Sequence, residues 1–414
     1  MNIGNNIKNA LIQLSFLLTT SIGVAAPNAM VRLHANPDSS LQARLESITQ
    51  SRNEILIEAF YLENDSIGNL ILSTLAKQKE NFPKLKINLI IDGWGSSSQP
   101  IENQCFWQKR GIEWKIYNPK GLRQALDQSR THRKIWITDT ALIVGGRNLA
   151  VDHFKKTKLD WDLEIVSEMK TQLKASFFEM WYLSQNLDCS QVKKAPNIIT
   201  KTEETAGFKA KVVMPNWHSA HLSWHTESQN QLHMVYTEIL RLLGATQKKL
   251  LVENAYFIPP KEIFENLKVL AQKAVKMSFV LNQPLPALPW IGRTTQCLSM
   301  PYQEYLVNVN AQVFHPTPET IHGKIFAIDD STLAIGSFNW DYRSAVWNSE
   351  TLMVATEAPT LMADFNAHWE TRTKMMNQIK SPSELWPKNP DFTREDLECK
   401  DRGQYFSPIL KYFF

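Results

Sequence analysis

The stretch "THRKIWITD", residues 131–139, sets His132 and Lys134 one residue apart and follows them with Asp139. Read as a strand, it sends alternate side chains to alternate faces, so His132 and Lys134 point the same way. A lone histidine on a strand is ordinarily a satisfied structural residue, but a neutral core rarely tolerates a lysine on the same face. The stretch is therefore a charged strand edge or half of a site whose partner lies elsewhere in the chain.

The partner is "IHGKIFAID", residues 321–329, which places His322, Lys324 and Asp329 in the same H-x-K-x-x-x-x-D spacing. With ten histidines in the chain, chance supplies roughly 0.03 such matches. Asp139 and Asp329 fall on the opposite strand parity, at strand ends, which gives them a supporting role. Each motif strand then turns into a second strand that ends in small residues and an asparagine, Gly145-Gly146-Arg147-Asn148 and Gly336-Ser337-Phe338-Asn339. Small residues allow a backbone or ligand to approach closely.

The surrounding sequence repeats as well. "EILIEAFYL" (54–62) matches "KLLVENAYF" (249–257), "KINLIID" (86–92) matches "KMSFVLN" (276–282), and "GIEWKIYNP" (111–119) matches "NAQVFHPTP" (310–318). Glu58 thus falls opposite Glu253, and Tyr61 opposite Tyr256. The first strands follow segments with helical apolar spacing, Leu41-Leu45-Ile48 and Leu240-Leu242-Leu243. Strands alternating with helices predict an α/β sheet in each half. The halves are expected at 26–189 and 226–380, joined by a polar connection over 190–225 and followed by a proline-containing tail over 381–414.

Two histidines, two lysines and two asparagines facing one cleft form a donor-rich pocket for an anion. A phosphodiester fits, because Lys134, Lys324, Asn148 and Asn339 can stabilise charge building on its non-bridging oxygens. Imidazole titrates near neutrality, so one ring can attack phosphorus while the other protonates the leaving alcohol and then activates water or a second alcohol. The scheme requires no cofactor and no metal. Each ring needs an orienting partner on its other nitrogen. Asp162 in "LDWDLEI" and Glu350 in "VWNSETLMV" follow the motifs at corresponding places and are the candidates.

The chain has 414 residues, 43% hydrophobic and 21% charged, with a formal net charge of +4. That mild excess is no strong basic footprint, which makes a nucleic-acid partner the weaker expectation. Residues 1–25 read as a signal peptide: Lys8 precedes an apolar run, no acidic residue interrupts it, and the run ends in Gly23-Val24-Ala25. Export, to the periplasm or beyond, is expected. Cys105, Cys189, Cys297 and Cys399 make no CxxC pair, so they read as disulfides in one of three pairings or as buried thiols. A bridge between Cys189 and Cys399 would pin the tail to the first half.

The double H-x-K-x-x-x-x-D motif resembles the phospholipase D superfamily. "GGRN" after the first copy, and "GSFN" with "NSE" after the second, are similar to that family too. "DGWGS" (92–96), "HRKIWITDTALIVGGRN" and "WDLEI" carry a resemblance to its bacterial cardiolipin synthase branch over most of residues 31–375. The resemblance implies a phospholipase D fold: two similar α/β/α/β sandwich halves related by a pseudo-twofold axis, with the active site between them. It also implies a phosphatidyl-enzyme, with His132 as nucleophile and His322 as acid, an order the repeat itself leaves open. The expected activity is an exported phospholipase D-type phosphodiesterase, acting as a monomer on phospholipid at a membrane surface with water or an alcohol as acceptor. A nuclease and an inactive lipid-binding protein are the alternatives. The apolar loop "NQPLPALPWIGR" (282–293), with Leu288 and Trp290, reads equally as a lipid-touching loop or as one packed on its own domain, and Lys155-Lys156-Lys158 as a head-group contact or a solvated run.

Overall fold

The computed structural model describes residues 24–95, 100–119, 129–155, 157–190, 192–198, 212–226, 234–283 and 290–385. Most of the expected leader (1–23) and of the tail (386–414) lies outside the described residues, as do Leu288 and Lys156.

The first half runs β1 (Val24–His34), α1 (Pro37–Gln50), β2 (Glu54–Ala59), α2 (Ser66–Asn81), β3 (Lys86–Asp92), α3 (Ile101–Gln108), β4 (Glu113–Tyr117), β5 (Arg130–Thr131), β6 (Ile135–Ile137), β7 (Leu142–Gly145), α4 (Val151–Phe154), β8 (Lys158–Leu159), β9 (Asp162–Val166), α5 (Lys170–Leu183) and β10 (Gln185–Asn186). The second repeats it: β11 (His218–Thr226), α6 (Met234–Ala245), β12 (Lys249–Asn254), α7 (Lys261–Gln272), β13 (Lys276–Leu281), α8 (Trp290–Asn308), β14 (Gln312–His315), β15 (Thr320–Ile321), β16 (Lys324–Ile328), β17 (Thr332–Gly336), α9 (Tyr342–Val346), β18 (Asn348–Ser349), β19 (Thr351–Thr356), α10 (Pro359–Lys374) and β20 (Asn377–Ile379).

The α/β fold is the one expected, and its symmetry is explicit in the strand order. A sixteen-stranded sheet runs β10-β4-β3-β2-β6-β7-β9-β1, then β11-β19-β17-β16-β12-β13-β14-β20. Each position left of the β1–β11 seam has its counterpart at the same distance to the right. Parallel pairs β2–β3 and β12–β13 occupy equivalent places. These strands are near-continuous apolar runs because helices cover both faces. One core cluster, including Phe177 of α5 and Phe365 of α10, packs on the face shared by both halves. Separate clusters join the opposite face of the first half to α1–α3 and that of the second half to α6–α8.

Three expectations change. Residues 218–225, taken as connection, are strand β11, which pairs antiparallel with β1 along the seam. The stretch 282–293 is not all loop, since α8 begins at Trp290. Cys189 bonds Cys105 in α3, not the tail.

The halves differ beneath their motifs. In the first, Arg133 forms a bidentate pair with buried Glu58, at 3.0 Å through Nε and 2.6 Å through Nη2, and donates to Ser176 and Thr226. In the second, the position of Arg133 is Gly323, where a Cβ would lie 2.2 Å from Glu253 Oε1. Arg372 of α10 serves Glu253 instead, at 2.9 and 3.1 Å. Both carboxylates are fully buried, so removing a partner strands a charge. Arg133→Met is expected to cost about 3–5 kcal/mol, read as a lower urea midpoint. An unchanged midpoint would show that the pair is not what holds Glu58 in the core.

Candidate active site

Neither motif is the continuous strand its sequence suggests. Each histidine sits in the break between a two-residue strand and the strand that follows: His132 between β5 and β6, His322 between β15 and β16. The short strands are anchored across the molecule. β5 pairs parallel with β18 of the other half, and β15 with β8. The main chain of each histidine is therefore held by the opposite half, His132 N–H on the Ser349 carbonyl at 3.0 Å and His322 N–H on the Leu159 carbonyl at 2.6 Å.

The rings are braced in the same crossed manner. His132 Nδ1 lies 3.0 and 3.1 Å from the two carboxylate oxygens of Glu350. Glu350 is fixed by Ser337 Oγ and by Asn348 Nδ2 at 3.2 Å. His322 Nδ1 lies 2.9 Å from Asp160 Oδ2. With Nδ1 engaged, Nε2 is the nitrogen that can meet a substrate, and at His322 it has the Lys324 ammonium 3.2 Å away.

The position expected of Asp162 thus belongs to Asp160. Asp162 instead accepts from Ser40 Oγ at 2.6 Å and Arg44 at 3.1 Å, and lies 3.4 Å from Arg147. Strand parity could not separate the two aspartates, because residues two apart share a face. What separates them is that β9 starts at Asp162, leaving Asp160 in the gap before it. The sequence reading also passed over His153. Its ring lies edge-on to that of His322, with centroids 4.5 Å apart, and its Nδ1 is 3.6 Å from Asp160 Oδ2.

The lysines curl back on their own motifs. Lys134 Nζ donates to the His132 carbonyl at 2.7 Å, and Lys324 Nζ to the His322 carbonyl while lying 3.0 Å from His322 Nδ1. Asp139 and Asp329 are remote from the rings. Asp139 accepts the backbone N–H groups of Arg52, Asn53 and Glu54 at 2.7, 2.8 and 3.2 Å, where β2 begins. Asp329 does the same for Gln247, Lys248 and Lys249 at 2.8, 2.7 and 2.8 Å, where β12 begins. Burial opposes ionisation of both, yet these donors hold each carboxyl below its ordinary value. Asn148 directs its amide nitrogen to His153 Nε2 at 3.3 Å, and Asn339 is buried with its side-chain oxygen unbonded.

Burial dominates the electrostatics. It pushes His132 down to about 4 against the attraction of Glu350, with Lys134 and Lys324 adding to the fall. Burial, Lys324 and His153 hold His322 well below the usual imidazole value. Lys134 falls to about 7 through burial and the repulsion of Lys324. Lys324 falls to about 8 through burial, though Asp160 and Glu350 oppose it. The charge of Lys324 thus acts on His132 and Lys134 of the other motif, so the two motifs share one electrostatic environment. The two lysines are set against the carboxylates of Glu350 and Asp160, and an anion entering beside them would favour their charged forms.

Comparisons with known proteins agree with this architecture. The profile described as "Cardiolipin synthase, PLD-like domain" matches residues 239–372, which contain the second motif. The chain is 23% identical over 338 residues to cardiolipin synthase A of Pseudomonas aeruginosa, covering 80% of this chain and only 64% of that relative. It is 23% identical over 368 residues to cardiolipin synthase B of Salmonella typhimurium, covering 86% of this chain and 84% of the relative. The structure superposes on a phosphatidylserine synthase from Haemophilus influenzae with a TM-score of 0.73 and 16% identity, over 93% of this chain and 95% of the other.

The lysines set a pH dependence. Bis(4-nitrophenyl) phosphate stays a monoanion between about pH 6 and about pH 10, so its affinity tracks the protein's charge. Lys134 and Lys324 are protonated below about 7 and about 8 and attract it there, and they lose that charge as pH rises. KM is therefore expected to climb above about pH 8. A flat KM across the range would contradict the assignment of these lysines to the anion site.

Proposed function

We infer that this chain, which belongs to the phospholipase D superfamily on its cardiolipin synthase-like branch, is an exported phosphodiesterase that transfers the phosphatidyl group of a glycerophospholipid to water or to an alcohol. The observation that carries the reading is the crossed bracing of the two imidazoles. In each ring a carboxylate of the opposite half holds Nδ1, which leaves Nε2 to meet a substrate.

The reaction runs in two steps. His132 Nε2 attacks phosphorus, and the bond to the head-group oxygen breaks as that oxygen takes a proton from His322. The product is a phosphatidyl-histidine, with the head-group alcohol released. His322 then removes a proton from water or an acceptor alcohol, whose oxygen displaces His132 from phosphorus. The released product is phosphatidic acid or a new phosphatidyl ester. Burial keeps both rings neutral in the empty pocket, and the charge of the diester favours protonation of one of them on binding. Lys134 and Lys324 stabilise the charge on the non-bridging oxygens. Glu350 keeps His132 in the tautomer whose Nε2 lone pair faces the substrate.

The disulfide between Cys105 and Cys189 supports an oxidising compartment and hence the export read from the leader. The mild net charge favours lipid over nucleic acid. None of the described helices is long and apolar enough to cross a membrane.

The test is purified protein in EDTA, offered phosphatidylcholine, phosphatidylglycerol and single-stranded DNA. Phosphatidic acid or a transfer product is expected. DNA cleavage with intact lipid would identify a nuclease instead. His132→Ala and His322→Ala are each expected to lower kcat by at least about a thousandfold, because the two rings act as a unit. Retained turnover in either variant would reject the mechanism.

A further inference from the structure

His153 has a polarity that the mechanism above does not use. It is fully buried, and its Nε2 lies 3.0 Å from the Tyr61 hydroxyl and 3.3 Å from the Asn148 amide. Its Nδ1 makes no hydrogen bond, yet it faces Asp160 Oδ2 at 3.6 Å. The same carboxylate oxygen receives His322 Nδ1 at 2.9 Å. The two rings stand at 89° to one another. Two imidazole nitrogens and a carboxylate oxygen thus converge, all within 4.8 Å of one another.

We propose that His153, Asp160 and His322 form a binding site for a zinc-class divalent cation, and that its occupancy reversibly inhibits the enzyme. Zinc bonds to nitrogen and oxygen at about 2.0–2.2 Å, which sets tetrahedral ligand atoms about 3.3 Å apart. The distances of 2.9 and 3.6 Å fall on either side of that value and the two nitrogens lie within 4.8 Å of each other, so ring rotations bring three ligands onto one cation, with a fourth position left to water. The ligands are suitably prepared. Burial keeps both imidazoles neutral, as metal ligation requires. With the Asn148 amide turned so that its otherwise unbonded oxygen and the Tyr61 hydroxyl accept from His153 Nε2–H, Nδ1 presents its lone pair, and these contacts fix the ring as outer partners of metal-bound histidines do.

The donor set is selective. Two nitrogens and one oxygen suit zinc, copper or nickel, whereas magnesium and calcium call for oxygen ligands. Lys324, 3.0 Å from His322 Nδ1, supplies the opposing charge that keeps the site from being a permanent one. The inhibitory effect follows from which atom is taken. Zinc on Nδ1 of His322 displaces its bond to Asp160 and withdraws electron density from the ring. The ring's one proton then sits on Nε2 with no imidazolium charge to drive it off, so Nε2 gives a proton to the leaving head-group oxygen less readily, and the first step stalls.

This inhibition rests on the phosphodiesterase reading, but the binding does not, and the two are measured separately. Zinc chloride is titrated calorimetrically into full-length protein stripped with chelator. One saturable site is expected, with magnesium chloride unable to compete. His153→Phe is expected to weaken zinc binding by at least about tenfold. Zinc should inhibit phosphodiester turnover over the concentration range in which it binds, and EDTA should restore activity. X-ray absorption on the wild-type complex should show two imidazole ligands, which decides the question even if His153→Phe does not fold. Unchanged zinc affinity in a folded His153→Phe protein, or a zinc shell lacking two imidazoles, would overturn the proposal. Absence of turnover on every phosphodiester would instead count against the function inferred above and leave the titration to decide the metal site.

Discussion

Everything in the pocket depends on an exchange across the pseudo-twofold axis. Neither half completes its own histidine: the main chain of His132 hangs on Ser349 and its ring on Glu350, while His322 hangs on Leu159 and Asp160. Two buried charge-assisted contacts and two short parallel strand pairs therefore fix the rings relative to each other. A pocket built this way is rigid in the dimension that matters for two-step chemistry on one phosphorus, the separation and facing of the rings. The motif aspartates act one step further out. By gathering the N–H groups where β2 and β12 begin, Asp139 and Asp329 tie each motif hairpin to the strand beside it.

The repeat is symmetric in its strands and unsymmetric in its charges. Arg133 reaches Glu58 from within the motif, whereas Gly323 clears space and Arg372 reaches Glu253 from α10. Arg372 goes on to donate to the carbonyl of Asp160 at 3.0 Å, as does Arg147. The main chain of the residue behind His322 is thus held by two arginines, and its carboxylate is shared with His153. The two imidazoles are chemically distinct although their strands superpose, which is what a reaction with one attacking and one protonating ring demands.

Much of this was legible in the sequence because it is carried by periodicity and spacing. The apolar runs at 54–62 and 249–257 become β2 and β12, and the paired motifs mark the pocket. Glu350 was found by its offset from the second motif, and it meets the first-half histidine. What the sequence hid was local geometry. A break of two residues before β9 moved the bracing role from Asp162 to Asp160, and no periodic pattern reports such a break. His153 sits in a four-residue helix too short to show a period, and its relevance depends on a contact with the far half of the chain. The strand at 218–226 was mistaken for a connection because its neighbours are polar and its apolar residues, Ala220, Leu222 and Trp224, alternate only briefly.

The seam strand β1 has a consequence for how the chain acquires its shape. Val31 pairs with Ile165 on one side and with His218 on the other, so the earliest described strand lies in the middle of the finished sheet. Its hydrogen-bonding edges stay unsatisfied until both distant partners have been made, and closing such long loops is slow. An unpaired apolar strand is also the kind of segment that other chains capture. During synthesis the vulnerable interval of β1 ends only when β11 arrives, and β11 in turn waits for β19, so the seam stays open to misassembly through most of the chain's emergence.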